Sequence, residues 1–243
     1  MAVTGRADMQ IHSDLGDGLS SIEEILDAAE RARLDVIALT DHDDIRGAFS
    51  LRDLAARRSS PVEVVTGVEI TTRSGHLLAL WIEDDIPMFC ALAEAVARVH
   101  RAGGITIVPH PLSYLTFSVG EGALRQLERA GGERMVDGIE LRNPSWAGRV
   151  RVRRAEWLNA NLLHVAVTGS SDAHHCDLVG TCWTDFAGRT AADLRRAIVE
   201  RTTVPDGRGW SVREHLDGAA KQQWRSMVRQ PFRRARRRVT GSR

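Results

Sequence analysis

Apolar and polar positions alternate along the chain in two rhythms. Six short runs rich in Val, Ile and Leu, each bounded by turn residues, predict buried strands: IALTDH (37–42), VEVVTGVEI (62–70), HLLALWI (76–82), ITIVPHP (105–111), GIELRNP (138–144) and LLHVAVTGSSD (162–172). Between them, residues 21–34, 47–58, 88–102, 120–130 and 150–161 place apolar residues at helical spacing with charged residues on the other face. Ile22, Ile25, Leu26 and Ala29 mark one such stripe, and Ser21 with Glu24 has the form of a capping box at its start. Residues 190–201 predict another helix, and 211–229 a last one with Val212, Leu216, Ala220, Trp224 and Met227 along one side. This alternation implies an α/β fold with parallel strands and helical crossovers, closed as a barrel or open as a doubly wound sheet. No G-x-G-x-x-G follows the first run, which argues against dinucleotide binding. The pattern divides the chain into one domain over 1–205 and a C-terminal helix and tail over 206–243.

Composition narrows the class. With 243 residues, 43% hydrophobic and 27% charged, the chain is neither a disordered acidic segment nor a fibrous repeat. No apolar run approaches the ~20 residues of a membrane span, and MAVTGRADMQ lacks the profile of a signal peptide. Cys90, Cys176 and Cys182 do not make a disulfide framework, so the expected location is cytoplasmic. The net charge of +1 conceals an asymmetry: residues 1–224 hold 25 basic against 32 acidic residues, and 225–243 hold eight arginines with no acid. The FRRARRR stretch (232–238) reads as a solvated tail, or as an arm for an anionic membrane surface or nucleic acid.

Ionisable residues fall at the ends of the apolar runs. Gln10, His12 and Asp17 open the chain; His42, Glu69, His76 and His110 follow on successive runs, then Arg142 with Asn143, and finally Asp172 and His174. Strand ends in an α/β barrel converge on one face, so five of the nine histidines and three carboxylates are expected to share a pocket. Imidazoles and carboxylates gathered in this way are metal donors.

The stretches DMQIHSDLGDG (8–18), IALTDHDDIRGA (37–48), VTGVEITT (65–72), GHLLAL (75–80), IVPHP (107–111) and TGSSDAHH (168–175) resemble, in order, the motifs of the polymerase and histidinol phosphatase (PHP) domain metallohydrolases. The resemblance implies a distorted, TIM-like (β/α)7 barrel and two or three divalent metals, with Mn, Fe or Zn expected before Mg. It assigns one metal to His12, Glu69 and Asp172. A second shares Glu69 and adds His76 and His110, and a third takes Asp17, His42 and His174. The family's first motif is usually His-x-His, whereas this chain has Gln10-Ile11-His12. Gln10 is then a weaker metal ligand, a position opened to solvent, or a sign of partial decay.

The activity implied is hydrolysis of a phosphomonoester, a small metabolite or nucleotide, by metal-activated hydroxide, with Glu69, Asp172 and Arg142 as catalytic candidates. Arg142 reads as a phosphate clamp or a surface ion pair, Asn143 as a substrate contact or a loop cap, and His175 as a group at the rim. Two alternatives remain: a nucleotide or RNA-end phosphodiesterase, and a non-catalytic metal-binding regulatory module. Asp41 reads as a turn residue or a support behind the ligands, not as a ligand, Trp183 and Phe186 as core or pocket wall, and His100, His164 and His215 as structural.

Overall fold

The computed structural model describes residues 4–216. Of the last expected helix, residues 212–216 are helical; the rest of it and the arginine tail lie outside the described residues. Nine strands form one sheet: β1 (Thr4–Ile11), β2 (Val36–Leu39), β3 (Glu63–Thr72), β4 (Gly75–Leu80), β5 (Ile105–Val108), β6 (Gly138–Arg142), β7 (Ala166–Gly169), β8 (Cys182–Ala187) and β9 (Val204–Gly207). Their order in the sheet is β7-β6-β5-β4-β3-β2-β1-β8-β9. Six helices accompany them: α1 (Ile22–Arg31), α2 (Arg46–Arg58), α3 (Leu92–Arg101), α4 (Glu121–Ala130), α5 (Val152–Leu158) and α6 (Ala191–Glu200).

The sheet curls until its two ends nearly meet. The Thr184 hydroxyl lies 2.9 Å from both the N–H and the carbonyl of Gly169, and the Thr203 hydroxyl donates to Val167 O at 2.7 Å. Side chains thus replace a backbone ladder between β7 and the β8–β9 pair. A side chain at residue 169 would meet Trp183 O at 2.8 Å, so this approach requires glycine. The last strand crosses residue 205, where the sequence pattern suggested a change of unit.

Strand periodicity sorts the core into two layers. Ile37, Leu39, Leu77 and Ala79 face outward and join the cluster formed with α1 to α5. Val36, Ala38, Leu78 and Leu80 face the barrel interior together with Met9, Ile105 and Ile107. The same inner cluster takes in Leu194, Ala197 and Ile198 of α6. That helix is fixed to the N-terminal ends of the parallel strands: Ala191 N donates to Glu63 Oε2 and Arg195 donates to Gly103 O. A capping box of Thr190 and Asp193 sets its start. α6 therefore plugs one end of the barrel, and the other stays open.

The expectation of an all-parallel sheet needs correction. β1–β2, β2–β3, β5–β6 and β6–β7 are parallel, but β3–β4, β4–β5, β1–β8 and β8–β9 are antiparallel. Only Arg73 and Ser74 separate β3 from β4, far too short a link for a crossover, so the two make a hairpin. β1, β8 and β9 were not among the predicted strands. In β1 the apolar rhythm is interrupted by Asp8 and Gln10, both fully buried, and β9 (VPDG) has almost no apolar residues.

One outer contact carries a pH signature. His100 Nε2 lies 2.7 Å from Asp137 Oδ2 and its Nδ1 2.8 Å from Glu133 O, while Thr106 donates to the same Asp137 oxygen. Both ring nitrogens face acceptors, so the imidazolium fits; the hydrogen bond to Asp137 raises the His100 pKa against partial burial. A raised histidine pKa stabilises the fold fully below its unfolded value and loses that contribution as pH rises through the folded one. Thermal melting should therefore show a decline in stability on the alkaline side of pH 6.5 that is smaller in His100→Gln. An identical pH slope in the variant would refute this.

Candidate metal centre

Eight predicted side chains meet at the open end. His12 follows β1, Asp17 lies in the loop before α1, His42 follows β2, Glu69 lies in β3, His110 follows β5, and Asp172 and His174 follow β7. His76 opens β4 instead of ending it. It reaches the same mouth because β4 runs antiparallel to β3, with His76 opposite Thr71 and diagonal to Glu69.

Glu69 is the hub and is 1% exposed. Its Oε1 lies 2.8 Å from His76 Nδ1 and 3.3 Å from His110 Nε2. Its Oε2 lies 3.1 Å from His12 Nε2 and accepts from Gln10 Nε2 at 2.9 Å. His12 Nε2 is also 3.4 Å from Asp172 Oδ1, and its Nδ1 is 3.5 Å from Asp17 Oδ1. Asp17 Oδ2 completes the set, 3.2 Å from His174 Nε2 and 3.8 Å from His42 Nε2. The imidazoles pack as a cluster, His12 stacked on His174 at 4.2 Å between ring centres.

Donor atoms within 4.8 Å of one another form the groups His12–His42–Glu69, His12–Asp17–His174 and Glu69–His76–His110. The last group has the composition that the sequence resemblance implied. The other two share His12 and draw His42 toward Glu69, so the described geometry divides the remaining donors differently from the expected sets.

The donors suit divalent cations. Gln10 Oε1, both His12 nitrogens, Asp17 Oδ1, His42 Nδ1 and Glu69 Oε1 are buried with no hydrogen-bond partner among the described residues. Orphaned acceptors in such number are costly unless something positive satisfies them. Without cations, protons fill this role. Burial opposes charge on His12, but Asp172, Glu69 and Asp17 hold its pKa well above the ordinary value. His110 is likewise raised to about 9, against burial, chiefly by Glu69. Glu69 is held well below the usual carboxylate range, against burial, by His42, His110, His12 and His76.

The surroundings aim these donors. Ser118 Oγ, which donates to His110 O, lies 2.8 Å from His110 Nδ1 and leaves Nε2 to face Glu69. His174 Nδ1 lies 3.0 Å from Asp172 O, leaving Nε2 toward Asp17. His110 and Asp172 both have left-handed backbones, φ 31 and 52, a strain of about 1–3 kcal/mol each that concentrates at functional positions. A side chain at Gly18 would meet His12 O at 2.1 Å, so the Asp17–Gly18 turn must press against that backbone.

Three buried carboxyls stand behind the donors; Glu140 and Asp8 were missed as parts of the site, and Asp41 takes the supporting place that was one of its two readings. Glu140 is pushed up to about 8 by burial, and its Oε2 accepts from His110 N and Asn143 Nδ2. Asp8, raised by burial to about 6, accepts from Ser171 N and Gly180 N and so anchors the loop that carries Asp172. Asp41 accepts from Ser13 N and Ser13 Oγ behind His12. An acid inside an apolar strand run was the readable signal at Glu140.

The Arg142 guanidinium donates to Gly207 O on the β9 side, past a register shift in β6 between Glu140 and Arg142. Asn143 Oδ1 accepts from Ser145 N and Oγ while its Nδ2 holds Glu140, contacts that suit the loop cap, one of its two readings. His175 stands at the rim, lining a cavity with Asp172 and His174, and its Nδ1 accepts from Asp177 N. Phe186 is buried in the inner core, and the Arg6 guanidinium covers the Trp183 ring at 4.6 Å. Cys90, Cys176 and Cys182 are free thiols.

Comparison with known proteins agrees with this geometry. The PHP domain model matches residues 8–118, and the PHP-associated model matches 153–203. An uncharacterized protein of Methanocaldococcus jannaschii is 32% identical over 127 residues, covering 48% of this chain and 73% of that one. A phosphoribosyl 1,2-cyclic phosphate 1,2-diphosphodiesterase of Eggerthella lenta is 29% identical over 104 residues, 40% of this chain but only 39% of the enzyme. In fold, a two-domain Bacteroides vulgatus protein containing a predicted PHP-like metal-dependent phosphoesterase superposes with a TM-score of 0.68 at 20% identity, over 85% of this chain and 66% of that one. The chain belongs to the PHP domain family, a class of metal-dependent phosphoesterases.

If Glu69 joins two donor groups, Glu69→Ala should lower bound metal, measured by plasma mass spectrometry, by about one equivalent or more per chain. Melting of the same sample should show a cooperative transition. A folded variant with undiminished metal would refute the hub.

Proposed function

We propose that this chain hydrolyses a phosphomonoester, a small phosphorylated metabolite or a nucleotide, with two or three divalent cations (Mn, Fe or Zn). His12, Asp17, His42, Glu69, His76, His110, Asp172 and His174 would hold them. The observation that carries the reading is Glu69, one buried carboxylate whose two oxygens face opposite donor groups, Oε1 toward His76 and His110 and Oε2 toward His12. When bound, such cations supply a water made acidic at neutral pH and positive charge for the phosphoryl oxygens in an in-line displacement.

The chain's own residues fix the geometry of that step. Gln10 donates to Glu69 Oε2, and its orphaned Oε1 is a neutral oxygen donor of the kind hard cations accept. Asp172 and His174 border the cavity from which substrate would approach, with His175 beside them at the rim. Since Arg142 is engaged with Gly207, phosphate charge is met by the cations and not by a guanidinium clamp. A nucleotide or RNA-end phosphodiesterase is the second reading, favoured by the partly exposed His42, whose side chain is 29% exposed, and by the open mouth. The free thiols are consistent with work in the cytoplasm.

The test is metal analysis together with turnover on a panel of phosphomonoesters and short RNA. Release of phosphate from monoesters with added Mn is expected, and Asp172→Asn should reduce it at least ~100-fold. Less than about one metal per chain and no turnover with Mn would overturn the reading in favour of a regulatory module. Gln10→His should raise metal occupancy at low Mn, because imidazole is the more basic donor. Unchanged occupancy would show that position 10 is not a ligand.

A further inference from the structure

A cavity of about 240 Å³ adjoins the cluster, bordered on one side by Asp172, His174 and His175 and on the other by Ala147, Leu178, Trp210 and His215. It is smaller than the roughly 300 Å³ from which pockets for whole drug-sized ligands begin, so it suits one ring-sized group. The far wall is a corner of two aromatic rings. Trp210 and His215 stand 5.4 Å apart between centres at 66°, and Trp146 stacks on His215 at 4.0 Å and 19°.

The polar edges of these rings are already engaged. Trp210 Nε1 donates to Thr181 Oγ1, and its backbone N donates to Pro144 O. His215 Nε2 accepts from Trp146 N, and its Nδ1 lies 2.9 Å from Ser211 O, which makes it the neutral Nδ1–H tautomer. What the corner offers is therefore ring face, held in place before any ligand arrives. Such a surface attracts flat aromatic groups by offset or edge-to-face packing.

Trp146, Ala147, Trp210 and His215 lie outside the two stretches that match the family models, 8–118 and 153–203. Resting on the phosphoesterase reading above, we infer that this cavity binds an aromatic ring in the alcohol part of the substrate, of nucleobase size, while the phosphate sits at the histidine cluster. Continuity of the cavity with Asp172 and His174 places both parts within one small ester.

The probes are adenosine 5′-monophosphate and ribose 5-phosphate, which share the sugar phosphate and differ in the base. With the Mn-loaded full chain, kcat/KM is expected to be roughly tenfold or more higher for the nucleotide, in keeping with stacking of a base on an aromatic ring. Ala147→Trp, which fills the cavity, should bring the two values within about twofold. If that variant fails to fold, Trp210→Leu removes the ring face and should have the same effect. Saturation-transfer NMR with adenosine, which has no phosphate to lose, reads the cavity independently of turnover: its base protons should receive saturation, and lose it in either variant. Equal kcat/KM values with no saturation of the base overturn the inference. Saturation of the base with no turnover of either ester overturns the phosphoesterase reading and still supports the ring site.

Discussion

A carboxylate buried among imidazoles is the constraint on which this molecule turns. Glu69 is 1% exposed, and isolated in that position its charge would be prohibitive. It is tolerable only because His12, His42, His76 and His110 surround it, and those rings can gather only if four strands deliver them to the one that carries Glu69. The same arrangement leaves acceptor atoms without partners, which a close-packed apolar interior would not sustain. The open mouth is thus built around an electrostatic demand, which protons meet in one state and cations in another.

The rest of the barrel holds that demand in register. The β3–β4 hairpin reverses one strand, so that a histidine at a strand's beginning joins others at strands' ends. Asp8, Asp41 and Glu140 stand behind the donors and fix backbone N–H groups of the loops carrying them, each by hydrogen bonds in a dry setting. Left-handed backbones at His110 and Asp172 show that packing around these loops is strong enough to hold strained turns.

Much of this was legible in the sequence for a simple reason. Strands buried on both faces read as near-continuous apolar runs, and polar residues at their ends stand out against them. Six of the nine described strands and the eight side chains that meet at the mouth could be seen in this way. What escaped was set by tertiary context. β1 mixes buried Asp8 and Gln10 into its pattern, and β9 is stabilised by pairing with β8 and not by its own apolar residues. The direction of β4 follows from a two-residue link whose shortness outweighs the βαβ rhythm around it. Arg142 read as a phosphate clamp or a surface ion pair, and its contact with Gly207 beside a register shift is of the kind no single-sequence pattern reveals.

The helix across the barrel floor has a kinetic meaning. With Leu194, Ala197 and Ile198 filling the end opposite the histidines, the described barrel is a blind well instead of a tunnel. Whatever enters must leave by the same opening, in the reverse order of its arrival. In a hydrolase of this shape the released anion and the incoming ester compete for one doorway. Turnover is then governed by how quickly the doorway clears as well as by the chemistry at its base.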